Sequence, residues 1–142
     1  MRTIFLAGVV IANFAAFADE IEWDTGSRRF ADIDCDEISD EIIIGYVDSG
    51  FQVKVTPGSN SSPSMLNFGL GNATEQTGLC GSTVQIRLYQ TDSDSLKEEF
   101  GEVFEGYQAK PGCFDINLTG GECDSINVFW NHNTKGLNWW RR

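Results

Sequence analysis

Short segments in which apolar and polar residues alternate constrain the fold of this chain more than any other feature. In Thr83–Gln90, the side chains of Val84, Ile86 and Leu88 would face one side of a strand and the intervening polar side chains the other. Similar segments recur about every ten residues, separated by turn signals, and no segment has the long 3.6-residue period of a buried helix. About seven short strands of this kind predict an all-β protein, a β-sandwich or barrel.

The individual segments can be assigned from the same pattern. The predicted strands are Glu41–Val47, Phe51–Val55, Met65–Leu70, Thr83–Gln90, Val103–Tyr107, Cys113–Ile116 and Ser125–Trp130. The segments predicted to lack a strand are an irregular arm (Asp19–Asp40), a polar loop with one helical turn capped by Ser95 (Thr91–Glu99) and a tail (Asn131–Arg142).

The N-terminus has the three zones of a secretory signal peptide. Arg2 gives a positive start, Ile4–Ala12 is apolar, and Ala16-Phe-Ala18 places small residues at a cleavage site. A membrane-spanning helix would need about 20 apolar residues, and Asn13 interrupts a shorter run. We therefore predict a signal peptide over residues 1–18 and a single β-rich domain over residues 30–142.

Residues 19–29 form a candidate pro-segment between these two parts. Arg28-Arg29 is a dibasic pair in a polar stretch, the kind of sequence at which secretory processing proteases cut. Two solvated arginines near the N-terminus of the domain are an equally good interpretation.

Four cysteines in a short chain predict two disulfides, as is common in proteins of oxidising compartments. They lack the paired C-x-x-C spacing of a zinc site, so no metal is predicted at them. Of the three connectivities, we favour a local Cys113–Cys123 bridge together with Cys35–Cys80, which would tie the arm to the sheet.

Glycosylation motifs and charge bear on location and partners. Asn60, Asn72 and Asn117 each begin an N-x-Ser/Thr motif and are predicted glycosylation sites. The formal charge is −11, and removing Arg2 with the signal peptide makes it about −12. Such a protein repels phosphate backbones and anionic lipids, so neither a nucleic-acid nor a membrane partner is expected. We expect a secreted, extracellular glycoprotein that is a monomer.

The order of motifs from Val84 to Trp130 resembles one Greek-key motif of the βγ-crystallin family. A strand ending in Leu88-Tyr-Gln90 precedes a polar loop, the aromatic segment Phe104-Glu-Gly-Tyr107, Gly112-Cys113 and a final Ile126-Asn-Val128. In that family, the glycine of the aromatic segment has positive φ and a serine near the last strand bonds back to the segment. The resemblance therefore implies these fold-determining roles for Gly106 and Ser125. It also implies that the all-β fold is a small disulfide-stabilised Greek-key β-sandwich.

Small secreted fungal proteins of the effector-like and killer-toxin-like kind carry a similar pattern, and the chain resembles them too. Microbial βγ-crystallins often bind calcium through acidic and hydroxyl residues. The aligned stretch Gly120–Ser125 begins with two glycines, so no cofactor is expected there. Asp92–Ser95 is a weak calcium candidate that is better interpreted as a solvated turn.

No catalytic motif is present in the sequence. The only histidine, His132, lies in a polar tail with no nucleophile motif to serve. Trp130, Trp139 and Trp140 could form a binding surface, or could cover the end of the sandwich. We therefore expect a secreted non-enzymatic protein that binds an extracellular protein or glycan, as effector-like or killer-toxin-like proteins do.

Two alternatives remain open from the sequence. One is a carbohydrate-binding or cell-wall-associated structural protein. The other is a small secreted hydrolase, because two carboxylates of any loop could do glycosidase chemistry.

Overall fold

The computed structural model describes residues 20–59, 62–71, 77–90 and 92–142. The elements in chain order are β1 (Glu22–Ala31), β2 (Asp40–Val47), β3 (Gly50–Thr56), β4 (Ser64–Leu70), β5 (Gly78–Leu79), β6 (Gln85–Gln90), α1 (Ser93–Phe100), β7 (Phe114–Thr119), β8 (Ile126–Asn131) and β9 (Gly136–Trp140). The predicted signal peptide and the predicted glycosylation sites Asn60 and Asn72 lie outside the described residues.

The strands form two sheets, and the predicted all-β, disulfide-linked sandwich is confirmed. The first sheet has the order β1-β2-β3-β4-β5, antiparallel except between β4 and β5. The second sheet has the order β6-β7-β8-β9 and is antiparallel throughout. Neighbouring strands are consecutive in both sheets, so the described strands form meanders and not the predicted Greek key, in which a fourth strand returns beside the first.

The core lies between the two sheets and follows the predicted alternation. In β2 and β3, every second residue is fully enclosed, as Ile42, Ile44, Val53 and Val55 show. In the second sheet, alternate residues of β7 and β8 are also buried in this core: Ile116, Leu118, Ile126 and Val128. These segments form strands because every second side chain is a leucine or a β-branched residue that can be buried on one face.

Ten residues of the predicted irregular arm form a strand, β1. β1 pairs with β2 at Glu22–Asp24 and again at Arg29–Ala31, with a register shift between the two runs. The arm was mistaken for irregular chain because an edge strand is held by its backbone bonds to β2 and needs no apolar alternation.

Three further predicted segments also have a different structure. Val103–Tyr107 forms turns and is not a strand, so β6 pairs directly with β7. The polar loop contains α1, a two-turn helix whose N-cap is Asp92, not Ser95: the Asp92 carboxylate accepts from the backbone N–H groups of Asp94 and Ser95. The predicted tail adds the last strand, β9.

Both disulfides are present, but the predicted pairing was wrong. The bridges are Cys35–Cys113 and Cys80–Cys123, with Cα–Cα distances of 5.1 and 5.8 Å. Cys113 and Cys123 cannot bridge because the six residues of β7 separate them by about 20 Å of extended chain. Cys35–Cys113 instead joins the β1–β2 loop to the start of β7, linking the two sheets.

The two residues that the βγ resemblance singled out have different outcomes. Gly106 has φ +78°, so the predicted positive φ is confirmed. Ser125 does not bond to the aromatic segment; its hydroxyl accepts a hydrogen bond from Asn117 Nδ2 at 2.8 Å. Asn131 makes the bond back instead, because its Nδ2 donates to the Glu105 carbonyl at 3.1 Å.

Candidate functional site

The outer face of the second sheet carries a polar row that crosses all four strands. Strand register places Arg87 opposite Asn117, Asn117 opposite Asn127, and Asn127 opposite Trp140. Tyr89 and Asp115 form the next pair, two positions further along β6. The side chains of one row lie within reach of each other because facing residues on adjacent strands are about 5 Å apart.

Helix α1 and the segment after it form one wall over this face. Leu96, Phe104 and Tyr107 pack against Phe129 of β8 and make a small second core. Trp140 lies at the edge of that core, against Phe100 and Phe104. Between this wall and the open part of the sheet lies a cleft of about 500 Å³, which we call the second-sheet cleft. Its main polar lining residues are Arg87, Tyr89, Asp92, Glu99, Asp115, Asn117, Asn127 and Arg142.

Asp115 is the acid at the base of the cleft, with only 4% of its surface exposed. Its Oδ2 accepts a hydrogen bond from the Tyr107 hydroxyl at 2.8 Å, and that hydroxyl accepts from the Asp92 backbone N–H at 3.0 Å. Burial raises the pKa of Asp115 to about 7, and the bond from Tyr107 opposes the rise. Asp115 therefore changes its charge near neutral pH.

The second oxygen of Asp115 is open to a ligand. Among the described residues, no donor reaches Asp115 Oδ1, and this oxygen is not a fully enclosed atom. Burial, and next the Asp115 carboxylate, raise the pKa values of Tyr89 and Tyr107, so both phenols stay protonated.

The two asparagines of the row orient one another. Asn117 Nδ2 donates to Ser125 Oγ at 2.8 Å and to Asn127 Oδ1 at 2.9 Å. The Tyr89 hydroxyl also lies 3.4 Å from Asn127 Oδ1. This network leaves Asn117 Oδ1 and Asn127 Nδ2 without partners among the described residues, as an acceptor and a donor available to a ligand.

Most charged side chains around the cleft already have partners in the protein. Glu99 forms an ion pair with Arg142 at 2.7 Å. Asp92 caps α1, and its bonds to the Ser95 hydroxyl and to the backbone of Asp94 and Ser95 lower its pKa. Arg87 makes no hydrogen bond or ion pair with any described residue, so it supplies an unused guanidinium.

The three tryptophans that could have formed one surface are separated. Trp130 is buried in the main core, with 8% of its surface exposed, and cannot be part of a binding surface. Trp139 covers the sandwich end, edge-on to Phe68 with ring centroids 5.6 Å apart. Only Trp140 reaches the cleft.

The other predicted site residues lie elsewhere or have structural partners. His132 is outside the cleft; its backbone N–H donates to the Gly106 carbonyl at 2.8 Å, and burial lowers its pKa. The predicted glycosylation site Asn117 lies within the cleft. Both amide hydrogens of Asn117 have acceptors, and an attached sugar would replace one of them.

A cluster of three acids lies in the β1–β2 loop. Carboxylate oxygens of Asp32, Asp34 and Asp40 lie within 4.8 Å of one another. Burial, and then the nearby charges of Asp40 and Asp36, raise the pKa of Asp34 to about 6. The buried Asp40 accepts from the backbone N–H groups of Ile33, Asp34 and Gly58, so its carboxylate holds this loop together.

No family model matches the sequence, and neither a curated protein nor a solved structure matches it. Among the described residues, no helix combines the length and the apolar character that crossing a membrane requires. The two disulfides indicate an oxidising, extracellular-type environment.

Asp115, Asn127, Tyr89 and Arg87 were not predicted as site residues. A signal for them was present in the alternation, because Arg87, Asp115 and Asn127 each lie between two apolar residues and Tyr89 is two positions after Arg87 in the same strand. That pattern places each residue on the outer face, but it does not show which residues share a row.

Proposed function

We propose that this protein is a secreted, non-enzymatic binding protein and that the second-sheet cleft holds a saccharide. The observation that carries the proposal is the row of Arg87, Asn117 and Asn127, with Asp115 beside it and Trp140 at its end. The proposed secretion rests on the N-terminal sequence and agrees with the two disulfides. Action on another organism, as in effector-like and killer-toxin-like proteins, is a proposal that rests on the sequence resemblance alone.

The unused polar groups of the cleft match the chemistry of sugar hydroxyls. A hydroxyl donates one hydrogen bond and accepts two, so it needs donors and acceptors side by side. Arg87 and Asn127 Nδ2 supply donors, and Asn117 Oδ1 supplies an acceptor. Asp115 Oδ1 accepts when ionised and can donate when protonated. The indole of Trp140 provides an apolar surface for the C–H face of a sugar ring.

Size and charge favour a neutral saccharide. The volume of about 500 Å³ lies within the range of about 300–1,000 Å³ that is usual for ligand pockets. The formal charge of −11 repels acidic polysaccharides, although the cleft itself contains an unpaired arginine. Arg87 would therefore act as a hydrogen-bond donor to neutral hydroxyls.

The proposal is tested by glycan-array screening followed by calorimetry with a soluble neutral oligosaccharide that binds. Arg87→Ala and Asn127→Ala should each weaken binding about tenfold, the effect of losing one or two hydrogen bonds to a ligand. Gln85→Ala is the matched control, since Gln85 is an exposed residue on the same face of β6 but outside the cleft. Binding to no glycan, or binding that both cleft variants leave unchanged, would contradict the proposal.

The raised pKa of Asp115 supports a second candidate, a small secreted hydrolase. A carboxyl group that titrates near pH 7 can act as a general acid. Glycosidases use two carboxyl groups, and the second one here would be Glu99, which is already paired with Arg142. Release of reducing ends from the bound saccharide by the wild type, and none by Asp115→Asn, would establish hydrolysis in place of binding.

A further inference from the structure

The dibasic pair lies at the end of an irregular stretch of the edge strand β1: Arg28 is in that stretch, and the ladder resumes at Arg29. Asp24 pairs with Ile44 and Arg29 pairs with Ile42, so residues 25–28 stand opposite Ile43 alone. This large bulge moves the chain away from the regular ladder. β1 is also the first strand of its sheet, so its outer edge has no neighbouring strand.

The residues around the Arg29–Phe30 bond are exposed to solvent. Arg28 and Arg29 are exposed, and 63% of the Phe30 surface is accessible. Among the described residues, the Arg29 guanidinium donates only to the nearby carbonyls of Gly26 and Arg28, and Arg28 forms a partly exposed ion pair with Glu41 at 3.2 Å. An exposed ion pair of this kind contributes little to stability.

One side chain anchors the bulge. The hydroxyl of the buried Ser27 accepts from the Ile44 backbone N–H at 2.9 Å and donates to the Asp24 carbonyl at 2.7 Å. A protease that binds its substrate in extended form must break these two bonds and the pairing of Arg29 and Phe30 with Ile42 and Glu41 before it can cut.

The chain before the bulge is held to the body by one short run of pairing and by the Trp23 side chain. Glu22–Asp24 pair with Ile44–Tyr46, and Trp23 lies over Gly45, where an added Cβ would be 2.8 Å from the indole. Lys54 Nζ lies 4.1 Å from the centroid of the Trp23 ring. The chain after the bulge is held far more firmly, because Cys35 is bonded to Cys113.

We infer that Arg29 is a processing site for a dibasic-specific secretory endoprotease, and that the cut releases the first part of β1. Hydrolysis of the Arg29–Phe30 peptide bond consumes one water and leaves a carboxylate on Arg29 and an ammonium group on Phe30. The released segment ends at Arg29 and carries Trp23 away. Its loss uncovers Gly45 and leaves the backbone groups of Ile44–Tyr46, which now pair with β1, as a new sheet edge.

The test uses the disulfide-bonded protein beginning at Asp19, incubated with a dibasic-specific endoprotease and followed by intact mass. We expect one cut after Arg29, a body that begins at Phe30 and keeps its disulfides, and a peptide that separates from it on size exclusion. Loss of Trp23 should also lower the tryptophan fluorescence of the body.

Three variants make the result specific. Arg29→Gln should abolish the cut, and Ser27→Ala should accelerate it about fivefold by weakening the bulge. Arg28→Gln removes half of the dibasic signal and should slow the cut. The thermal melts of the intact variants should stay close to wild type, apart from a small decrease for Ser27→Ala.

Limited digestion with trypsin compares Arg29 with Lys135, an exposed residue at the β8–β9 turn. The first cut should fall at Arg28 or Arg29. An intact chain after treatment with the dibasic-specific enzyme, a first tryptic cut at Lys135, or a cut peptide that stays with the body would each overturn the inference.

Discussion

Replacing Gly106 by alanine tests the local structure on which the second-sheet cleft depends. Gly106 has φ +78°, and a Cβ added there would lie 2.6 Å from Cγ of the buried Asn131. That amide holds two turns together: its Nδ2 donates to the Glu105 carbonyl, and its Oδ1 accepts from the backbone N–H groups of Asn133 and Thr134.

The expected cost has two parts. Positive φ costs a residue with a Cβ about 1 kcal/mol relative to glycine. The added methyl group also displaces the Asn131 amide and breaks its three hydrogen bonds, each worth about 1 kcal/mol. The sum is about 4 kcal/mol, which for a domain of this size lowers the melting temperature by roughly 15 °C.

Gly101→Ala is the matched control because it isolates the first part. Gly101 also has φ +78°, as the C-cap of α1, but an added Cβ would meet no atom within 4 Å. It should cost about 1 kcal/mol, or roughly 4 °C.

Differential scanning calorimetry measures the melting temperatures of Gly106→Ala and Gly101→Ala and so tests both parts of the expected cost. A double variant, Gly106→Ala with Asn131→Ala, should be only slightly less stable than Asn131→Ala alone, since the clashing amide is then absent. Equal melting temperatures for Gly106→Ala and Gly101→Ala would refute the steric part of the reasoning.

Three other outcomes follow from the disulfides, the amides and the buried acid. Removing the Cys35–Cys113 bridge, which spans 78 residues, should cost about 4.5 kcal/mol of stability in the chain-entropy model, and removing Cys80–Cys123, which spans 43 residues, about 4 kcal/mol. Calorimetry of two variants, each with both cysteines of one bridge replaced by alanine, compares the two losses. Asn117 should be unglycosylated in protein from the culture medium, and site mapping that found it occupied would contradict its two amide bonds. The pKa of Asp115 is raised from near 4 to about 7, so its contribution to the free energy of unfolding is fully present below pH 4 and is lost as the pH rises through 7. Asp115→Asn should therefore flatten the decrease in stability between pH 4 and pH 7. An unchanged slope of stability against pH in that variant would contradict the burial argument.

The sequence was a good guide to strands whose two faces differ. β2, β3, β6 and β8 contain the alternation or the β-branched runs that were predicted, because their inner side chains form the core. β1 and β9 were missed. β1 is held by backbone pairing to β2, which needs no hydrophobic period. β9 has only five residues, of which Leu137 and Trp139 pack against the core.

The disulfide pairing could not be deduced from spacing. A short separation favoured Cys113–Cys123, yet six of the nine intervening residues form the extended strand β7, which holds the two cysteines apart. The distance between cysteines depends on the conformation of the chain between them, and a strand reaches much further than a loop of the same length.

The properties of the cleft also depend on contacts between residues that are distant in the sequence. Asp115 lies between Phe114 and Ile116, where alternation predicts a solvent-facing residue. It is nevertheless buried, and Tyr107, from a turn earlier in the chain, bonds to its carboxylate. Burial raises its pKa and the bond from Tyr107 opposes the rise, and no pattern within β7 contains that bond.

Tyr107 is in turn positioned by the glycine beside it. The Tyr107 N–H donates to the Phe104 carbonyl at 3.0 Å, closing a turn in which Gly106 needs positive φ, and the Gly106 carbonyl accepts from His132 of the β8–β9 turn. A change at Gly106 should therefore move the Tyr107 hydroxyl and alter the titration of Asp115, as well as lower the melting temperature. Since that hydroxyl bond opposes the rise in the Asp115 pKa, its loss should raise the pKa further. Gly106, which the sequence predicted to have positive φ, thus helps to determine the protonation state of Asp115 in the cleft.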